Sequence, residues 1–388
     1  MGRMKRLMAR SVKSFSKINL GLRIGPVRGD GYHGLLTMYQ TLALDDVVTV
    51  RARRSAETRI ALTTNDARVP TDARNTVWKM TEAALRAMGL RAEVEIHIEK
   101  RLPVQGGLGA GSANAAAALL GLEGELGAAL SGPERLKVAA EVGSDVPLFL
   151  VGGAVLGMGR GEQVVAMPDV TLGDGLGVPC VVAVPPVGVS TPEAFRDWDA
   201  RRSAEAGPWF EDEEIGEVGG DGPECISGVE LTSDTSPDRL EQLSLAYASA
   251  YALSAGGGRL TLDTSGIVGC QSPEGASRVE GRSRLDDLAG NTLLALVRTG
   301  IENDFEEVVF PHHPSLRETK RLLMGEDSGR PAMYAALSGS GSALFGLYRS
   351  VEDAREAQRR VRSSGVEAIL TETLPRAEYW AKMFAEAG

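Results

Sequence analysis

Cysteine is nearly absent from this chain. Its 388 residues include three, Cys180, Cys225 and Cys270, too few and too scattered for a disulfide framework or a zinc site. Unpaired thiols in a reducing cytosol are the expectation. Long hydrophobic runs are missing too. The longest apolar stretch, VPLFLVGGAVLGMG, is too short and too glycine-rich to span a bilayer. The basic start MGRMKRLMAR is followed by no extended apolar segment, so a cytoplasmic protein without a secretory signal is expected. Positive charge is in deficit. A net charge of -10 argues against a general nucleic-acid binder but leaves room for a local basic site facing an anionic substrate.

What is present suits a soluble globular protein: 43% hydrophobic and 24% charged residues, enough for a sizeable core. The length suggests two or three domains. KINLGLRIG alternates, placing Ile18, Leu20, Leu22 and Ile24 on one face of a strand and Lys17 and Asn19 on the other, non-core face. Asp30-Gly31 marks a turn. DDVVTVRAR and TRIALTT follow as strands. NTVWKMTEAALRAMG has helical spacing and a C-cap at Gly89. AEVEIHIEK alternates again, with Val94, Ile96 and Ile98 inward. GPERLKVAAEVG is a helix, PCVVAVPP a buried strand, and STPEAFRDW a helix start with Ser190 or Thr191 as cap before Pro192. From about 199 to 290 the chain turns acidic, polar and glycine-rich, which predicts surface insertions around one amphipathic helix, DRLEQLSLAYASAYALSAGGG. After Asn291 come two helices, a strand–glycine turn–strand unit, a helix over VEDAREAQRRVRSSG and a closing strand, VEAILTETLP.

LPVQGGLGAGSANAAAALLGL, from Leu102 to Leu122, carries the chemistry. A glycine loop running into a helix is a generic anion site, because backbone N–H groups approach the ligand and the helix end adds partial positive charge. It is not a Walker A loop, since Ser112 stands where lysine is required. Nor is it a dinucleotide fingerprint, since Gly107 and Gly109 fit but position 112 is serine. The H-R-D and D-F-G strings of protein kinases do not occur. The pair His312 and His313 has no partner at zinc spacing and is expected at the surface or a helix cap.

The loop strongly resembles the phosphate loop of the GHMP small-molecule kinases. SFSKINLGLRIGPVRGDGYHGLLTMYQTLALDD, GSDVPLFLVGGAVLGMGRGE, PPVGVSTPEAF, ENDFEEVVFPHHPSL and LSGSGSALFG are similar, in order, to motifs of one branch of that family. That branch phosphorylates the 2-hydroxyl of 4-(cytidine 5'-diphospho)-2-C-methyl-D-erythritol in non-mevalonate isoprenoid precursor synthesis. The resemblance covers most of residues 11–195 and 291–388. It implies an α+β, two-domain GHMP kinase fold. Residues 11–177 would form an ATP-binding domain like domain 2 of ribosomal protein S5. Residues 178–388 would form a ferredoxin-like domain carrying the insertion.

The resemblance also implies roles. ATP would lie on Pro103, Gly106, Gly107, Leu108, Gly109, Ala110, Gly111, Ser112, Ala113 and Asn114, with Mg²⁺ arriving on the nucleotide, Ser112 as a possible ligand and no dedicated metal site. Asp145 would take the proton of the substrate hydroxyl, and Lys17 would support Asp145 and the transferred phosphoryl group. Asn19, Tyr32, His33 and Phe195 would bind substrate, Tyr32 stacking on the base, His33 reading its polar edge and Phe195 forming a second aromatic wall. Ser338, Gly339, Ser340 and Gly341 would form a second glycine turn over the phosphates. Partners would be small molecules, with no nucleic acid and no membrane, in a monomer or homodimer. Two other readings stand beside this one: a kinase for another small alcohol of homoserine or mevalonate type, and a nucleotide-binding module without catalysis. The chain departs from the family at Gln105 and Ala110, where glycine is frequent, and at Ser14-Phe15-Ser16, which replaces a small-Pro-Ala lead-in.

Overall fold

The computed structural model describes residues 9–104, 106–172, 175–205, 261–262, 268–269 and 302–384. The helix expected over 238–258, most of the acidic insertion, residues 291–301, and Cys225, Cys270 and Gln105 lie outside the described residues.

Two long strands organise the first half. β1 (Arg10–Val27) and β2 (His33–Arg54) form an antiparallel hairpin. Its turn is closed by Gly31 N–H donating to Arg28, with Gly31 at φ 80°. β2 serves two neighbours in succession: Thr37–Gln40 pairs with β5 (Ala154–Met158), and Val47–Arg54 pairs with β4 (Ala92–Glu99). β3 (Arg59–Thr64) and β6 (Gln163–Ala166) complete the six-stranded sheet. Three helices, α1 (Thr76–Met88), α2 (Ala110–Leu126) and α3 (Gly132–Val142), belong to this half. α1 begins at the Asn75 cap, whose side chain accepts from Val77 N–H, and ends at left-handed Gly89, the C-cap its sequence predicts. β4 also behaves as its alternation predicts, with Val94, Ile96 and Ile98 buried.

β1 corrects a simpler expectation. Its polar face is not solvated: Lys17 and Asn19 are each 2% exposed. A bulge between Asn19 and Gly21 separates its apolar residues into two clusters. Ile18 and Leu20 pack between the two halves of the molecule, whereas Leu22 and Ile24 join the core of the second half.

The second half is a four-stranded antiparallel sheet of β7 (Pro179–Val184), β8 (Tyr334–Leu337), β9 (Leu344–Leu347) and β10 (Glu367–Glu372), in the spatial order β8-β9-β7-β10. Among the described residues α4 (Thr191–Glu205), α5 (Phe305–His312), α6 (Pro314–Met324) and a short antiparallel pair, Thr261–Leu262 with Val268–Gly269, lie between β7 and β8, and α7 (Val351–Ser363) connects β9 to β10. This β-α-β-β-α-β order is that of a ferredoxin-like sandwich. α4 continues through Glu205, so the acidic segment expected from about 199 begins as helix. α8 (Arg376–Met383) lies beyond the strand expected to close the chain. It packs on the first half, where the Tyr379 hydroxyl donates to the Phe149 carbonyl over 2.7 Å.

Candidate active site

Lys17 leaves β1 at the seam between the halves. Its backbone N–H donates to the Leu108 carbonyl over 3.0 Å, which ties the strand to the glycine loop. Its ammonium donates to Asn19 Oδ1 over 2.6 Å and lies 3.3 Å from Asp145 Oδ2. Asp145 sits in the turn between α3 and a short 3₁₀ segment, Pro147–Leu150, and is about one-third exposed. The sequence places these two groups 128 residues apart; the fold makes them an ion pair with one buried and one accessible member.

Tyr39, unassigned from the sequence, completes the arrangement. It stands across from Asn19 in the hairpin register, and its hydroxyl donates to Asp145 Oδ1 over 2.9 Å. The Lys17 ammonium lies 5.4 Å from the centre of its ring. Burial, with the Asp145 carboxylate next in weight, pushes the Tyr39 phenol well above its ordinary range, so it remains a proton donor at neutral pH. Asn19 is engaged at both ends: its Nδ2 donates to Thr37 Oγ1 over 2.8 Å.

The glycine loop lies against this cluster. Gly107 has φ 80°, and a Cβ there would fall 2.0 Å from the Ser338 carbonyl oxygen. Gly109, at φ 70°, would place a Cβ 3.0 Å from Lys17 Cγ. These two positions need glycine both for backbone conformation and for close approach. Ala110 does not, because it is the first residue of α2. The helix thus begins two residues before Ser112, and no side chain caps it. α1, α3 and α7 are capped by Asn75, Ser131 and Ser350, whereas α2, like α5, α6 and α8, has no side-chain cap on its first-turn donors. Those of α2 open onto a cavity of about 500 Å³ lined by Pro103, Gly107 to Ser112, Asn114 and, from the facing side, Arg68, Arg74, Thr76 and Lys100.

Asn114 lines that cavity, but its side chain is committed elsewhere. Its Oδ1 accepts from Ser14 over 2.6 Å and its Nδ2 donates to Asp46 Oδ2 over 3.0 Å. Ser14, one of the departures from the family lead-in, is thereby a structural partner. Asp46, fully buried, also accepts from Lys100 Nζ at 2.7 Å and from the Arg101 and Leu102 N–H groups at 2.8 Å each. One carboxylate holds the entry of the glycine loop to β2 and α2. Asp46→Ala would leave the buried Lys100 ammonium unpaired, and a loss of about 3–5 kcal/mol is expected in denaturant unfolding.

The second glycine turn touches the first. Ser338 Oγ donates to the Gly107 carbonyl over 2.9 Å, and Ser340 Oγ bonds to Thr191 Oγ1 at 2.7 Å. Asn303, present in the ENDFEEV motif but given no role from sequence, donates to the carbonyls of Leu337 and Gly339 at 2.8 and 2.7 Å.

Of the expected substrate residues, Tyr32 and His33 lie at the hairpin tip and Phe195 on α4, whereas Asn19 is buried in β1 beside Lys17. Tyr32 is 57% exposed, with the Arg160 guanidinium 5.0 Å from its ring centre. Phe195 does not stand alone as a wall: it stacks on His33 at 4.9 Å and meets Phe305 edge-on at 5.0 Å. His312 is exposed, and His313 is the junction between α5 and α6. Among the described residues no three His, Cys, Asp or Glu side chains form a metal cluster, and no helix is long and apolar enough to cross a membrane.

Comparison with known proteins identifies the family. The model of the GHMP kinases N terminal domain matches residues 75–153, and that of the GHMP kinases C terminal domain matches residues 288–367. The 4-diphosphocytidyl-2-C-methyl-D-erythritol kinase of Solibacter usitatus is 32% identical over 338 residues, covering 87% of this chain and 81% of that one. The kinase of the same name from a Synechococcus species is 30% identical over 96% of this chain and 93% of its own. In Rhodococcus jostii the identity is 43%, over 50% of this chain and 60% of that protein. A crystal structure of 4-(cytidine 5'-diphospho)-2C-methyl-D-erythritol kinase shares the fold at TM-score 0.57 and 24% identity, over 94% of this chain and 99% of that one. Homoserine kinase from Cytophaga hutchinsonii shares it at TM-score 0.58 and 18% identity, over 97% of each chain. Matched by the models of both GHMP kinase domains and aligned over 87% and 96% of its length with the Solibacter and Synechococcus proteins, the chain belongs to the GHMP kinase family and is an ATP-dependent small-molecule kinase.

Proposed function

We propose that the chain transfers the γ-phosphoryl group of ATP to the 2-hydroxyl of 4-(cytidine 5'-diphospho)-2-C-methyl-D-erythritol, a step of non-mevalonate isoprenoid precursor synthesis. The observation that carries the chemistry is the Lys17–Asp145 pair at 3.3 Å, next to the glycine loop. The named relatives supply the substrate.

Phosphoryl transfer asks the protein for position and charge more than for covalent chemistry. Backbone donors of the glycine loop and the first turn of α2 hold the phosphates. Asp145 accepts the proton of the attacking hydroxyl. The Lys17 ammonium stabilises the charge spreading over the transferred group. Ser112, an oxygen donor at the mouth of α2, is of the type Mg²⁺ prefers, and the ion, bound with ATP, would neutralise phosphate charge. Ser338 to Gly341 close the phosphate side through the Ser338–Gly107 contact.

Tyr32, open at the hairpin tip, is the stacking platform for cytosine, and His33 reads the base edge. Replacing Tyr32 by alanine removes a stacking surface of about 1–3 kcal/mol. KM for the cytidine substrate is expected to rise about tenfold or more, with KM for ATP unchanged; equal losses for both would refute base stacking.

The substrate is tested by measuring ADP release with ATP, Mg²⁺ and the cytidine compound, homoserine or mevalonate. A kcat/KM for the cytidine compound at least a hundredfold above the others is expected. A higher value for another alcohol would make the chain a kinase of that alcohol, and ATP binding without turnover on any of them would make it a binding module.

A further inference from the structure

His33 is held on two sides by one helix. Phe195 covers the face of its ring at 4.9 Å, nearly parallel at 13°. Asp199, four residues further along α4, places Oδ1 2.7 Å from His33 Nε2. Residues four apart share a helix face, so the two contacts come from one rigid surface. Phe195 is in turn braced edge-on by Phe305, which is 2% exposed. The His33 side chain is only 10% exposed, and its ring makes no other hydrogen bond among the described residues.

The chemistry of the contact fixes a proton. A carboxylate oxygen can only accept, so Nε2 of His33 carries the hydrogen. In the neutral imidazole Nδ1 then keeps its lone pair and is an acceptor. Without Asp199 either tautomer is available, and with the other one Nδ1 donates.

We propose that Asp199 is a specificity-determining positioning residue: it holds His33 in the tautomer whose free nitrogen accepts, and thereby selects a pyrimidine that donates from its edge. Cytosine offers an exocyclic amino group, whereas uracil offers a carbonyl oxygen at the same position. The inference rests on the reading that His33 meets the base, and it adds a residue outside the base site that determines which base is taken.

The test is steady-state kinetics with the cytidine substrate and its uridine counterpart, for the wild type and for Asp199→Ala, Asp199→Glu and His33→Ala. Asp199→Ala should raise KM for the cytidine substrate about tenfold, the scale of one hydrogen bond to a charged group. It should shrink the cytidine-to-uridine ratio of kcat/KM by a similar factor, with kcat and KM for ATP within about twofold of wild type. Asp199→Glu, which restores a carboxylate on a longer arm, should recover part of the ratio. If His33→Ala collapses the ratio and Asp199→Ala leaves it intact, the inference falls alone. If His33→Ala leaves the ratio unchanged, His33 does not read the base, and the inference falls with that reading.

Discussion

Asp145→Asn is expected to lower kcat about 10³-fold while ATP binds as in the wild type. General-base assistance is worth about 10²–10⁴-fold, and a thousandfold loss corresponds to about 4 kcal/mol of barrier. Asparagine has nearly the same shape. Its oxygen can still accept from Tyr39, which now donates to Oδ1 over 2.9 Å, so the fold around the turn should persist. What disappears is the negative charge beside the Lys17 ammonium and the capacity to take a proton. The cavity in front of α2, proposed to take the nucleotide, is lined by the glycine loop, the start of α1 and the residues before it, and does not include Asp145. Titration of ATP against the inactive variant therefore separates chemistry from binding. A variant that turns over at the wild-type rate would remove Asp145 as the base, and one that loses ATP affinity in parallel would make it a binding residue instead.

Lys17→Met should cost about 10²–10³-fold in kcat/KM, the scale of losing one preorganised charge at a reacting centre. Methionine retains most of the stem that packs beside Gly109, where a Cβ would already lie 3.0 Å from Lys17 Cγ, so the loop keeps its support. Lys17 is 2% exposed, and its ammonium serves Asn19, Asp145 and the face of Tyr39 together. Arginine is not expected to rescue it, because a planar guanidinium cannot replace a compact ammonium in a slot of that size. Kinetics on Lys17→Met and Lys17→Arg, with thermal unfolding as the control for folding, check both statements. Activity of Lys17→Arg near that of wild type would mean that any cation at the seam is sufficient.

Elements with one buried face were legible in the sequence. β4 shows its inward set at every second residue, and α1 announces its end at Gly89 by residue type. The glycine loop was legible because glycine is demanded there by φ and by close approach. The first part of β2 was not. Met38, Tyr39, Gln40 and Thr41 are all buried, so the strand, covered on both faces, shows no polar alternation. Gln40 and Thr41 satisfy their polarity by donating to the Leu374 carbonyl, a partner more than 300 residues away. α8 went unseen for a related reason: it is eight residues long, and its anchors Tyr379 and Met383 find their core in the first half of the chain.

In the site, Lys17, Asn19 and Asp145 were nameable through the family pattern, but the residues that brace them and the loops were not. Tyr39, Asp46 and Asn303 act through hydrogen bonds that span tens of residues, and no spacing rule links such positions. Asp199 was assigned to the edge of an insertion because the acidic composition downstream masked the last turns of α4. Asn19 and Asn114 were read as ligand-facing, yet the fold uses their amides to connect strands and helices.

Phosphorus NMR of the reaction product is the most direct measurement of the central claim. With ATP, Mg²⁺ and the cytidine substrate, one new phosphomonoester on the 2-hydroxyl of the methylerythritol should appear for each ADP formed, and Asp145→Asn should abolish it on the same timescale. Phosphate transferred to a different hydroxyl, or ADP formed with no new ester, would contradict the account.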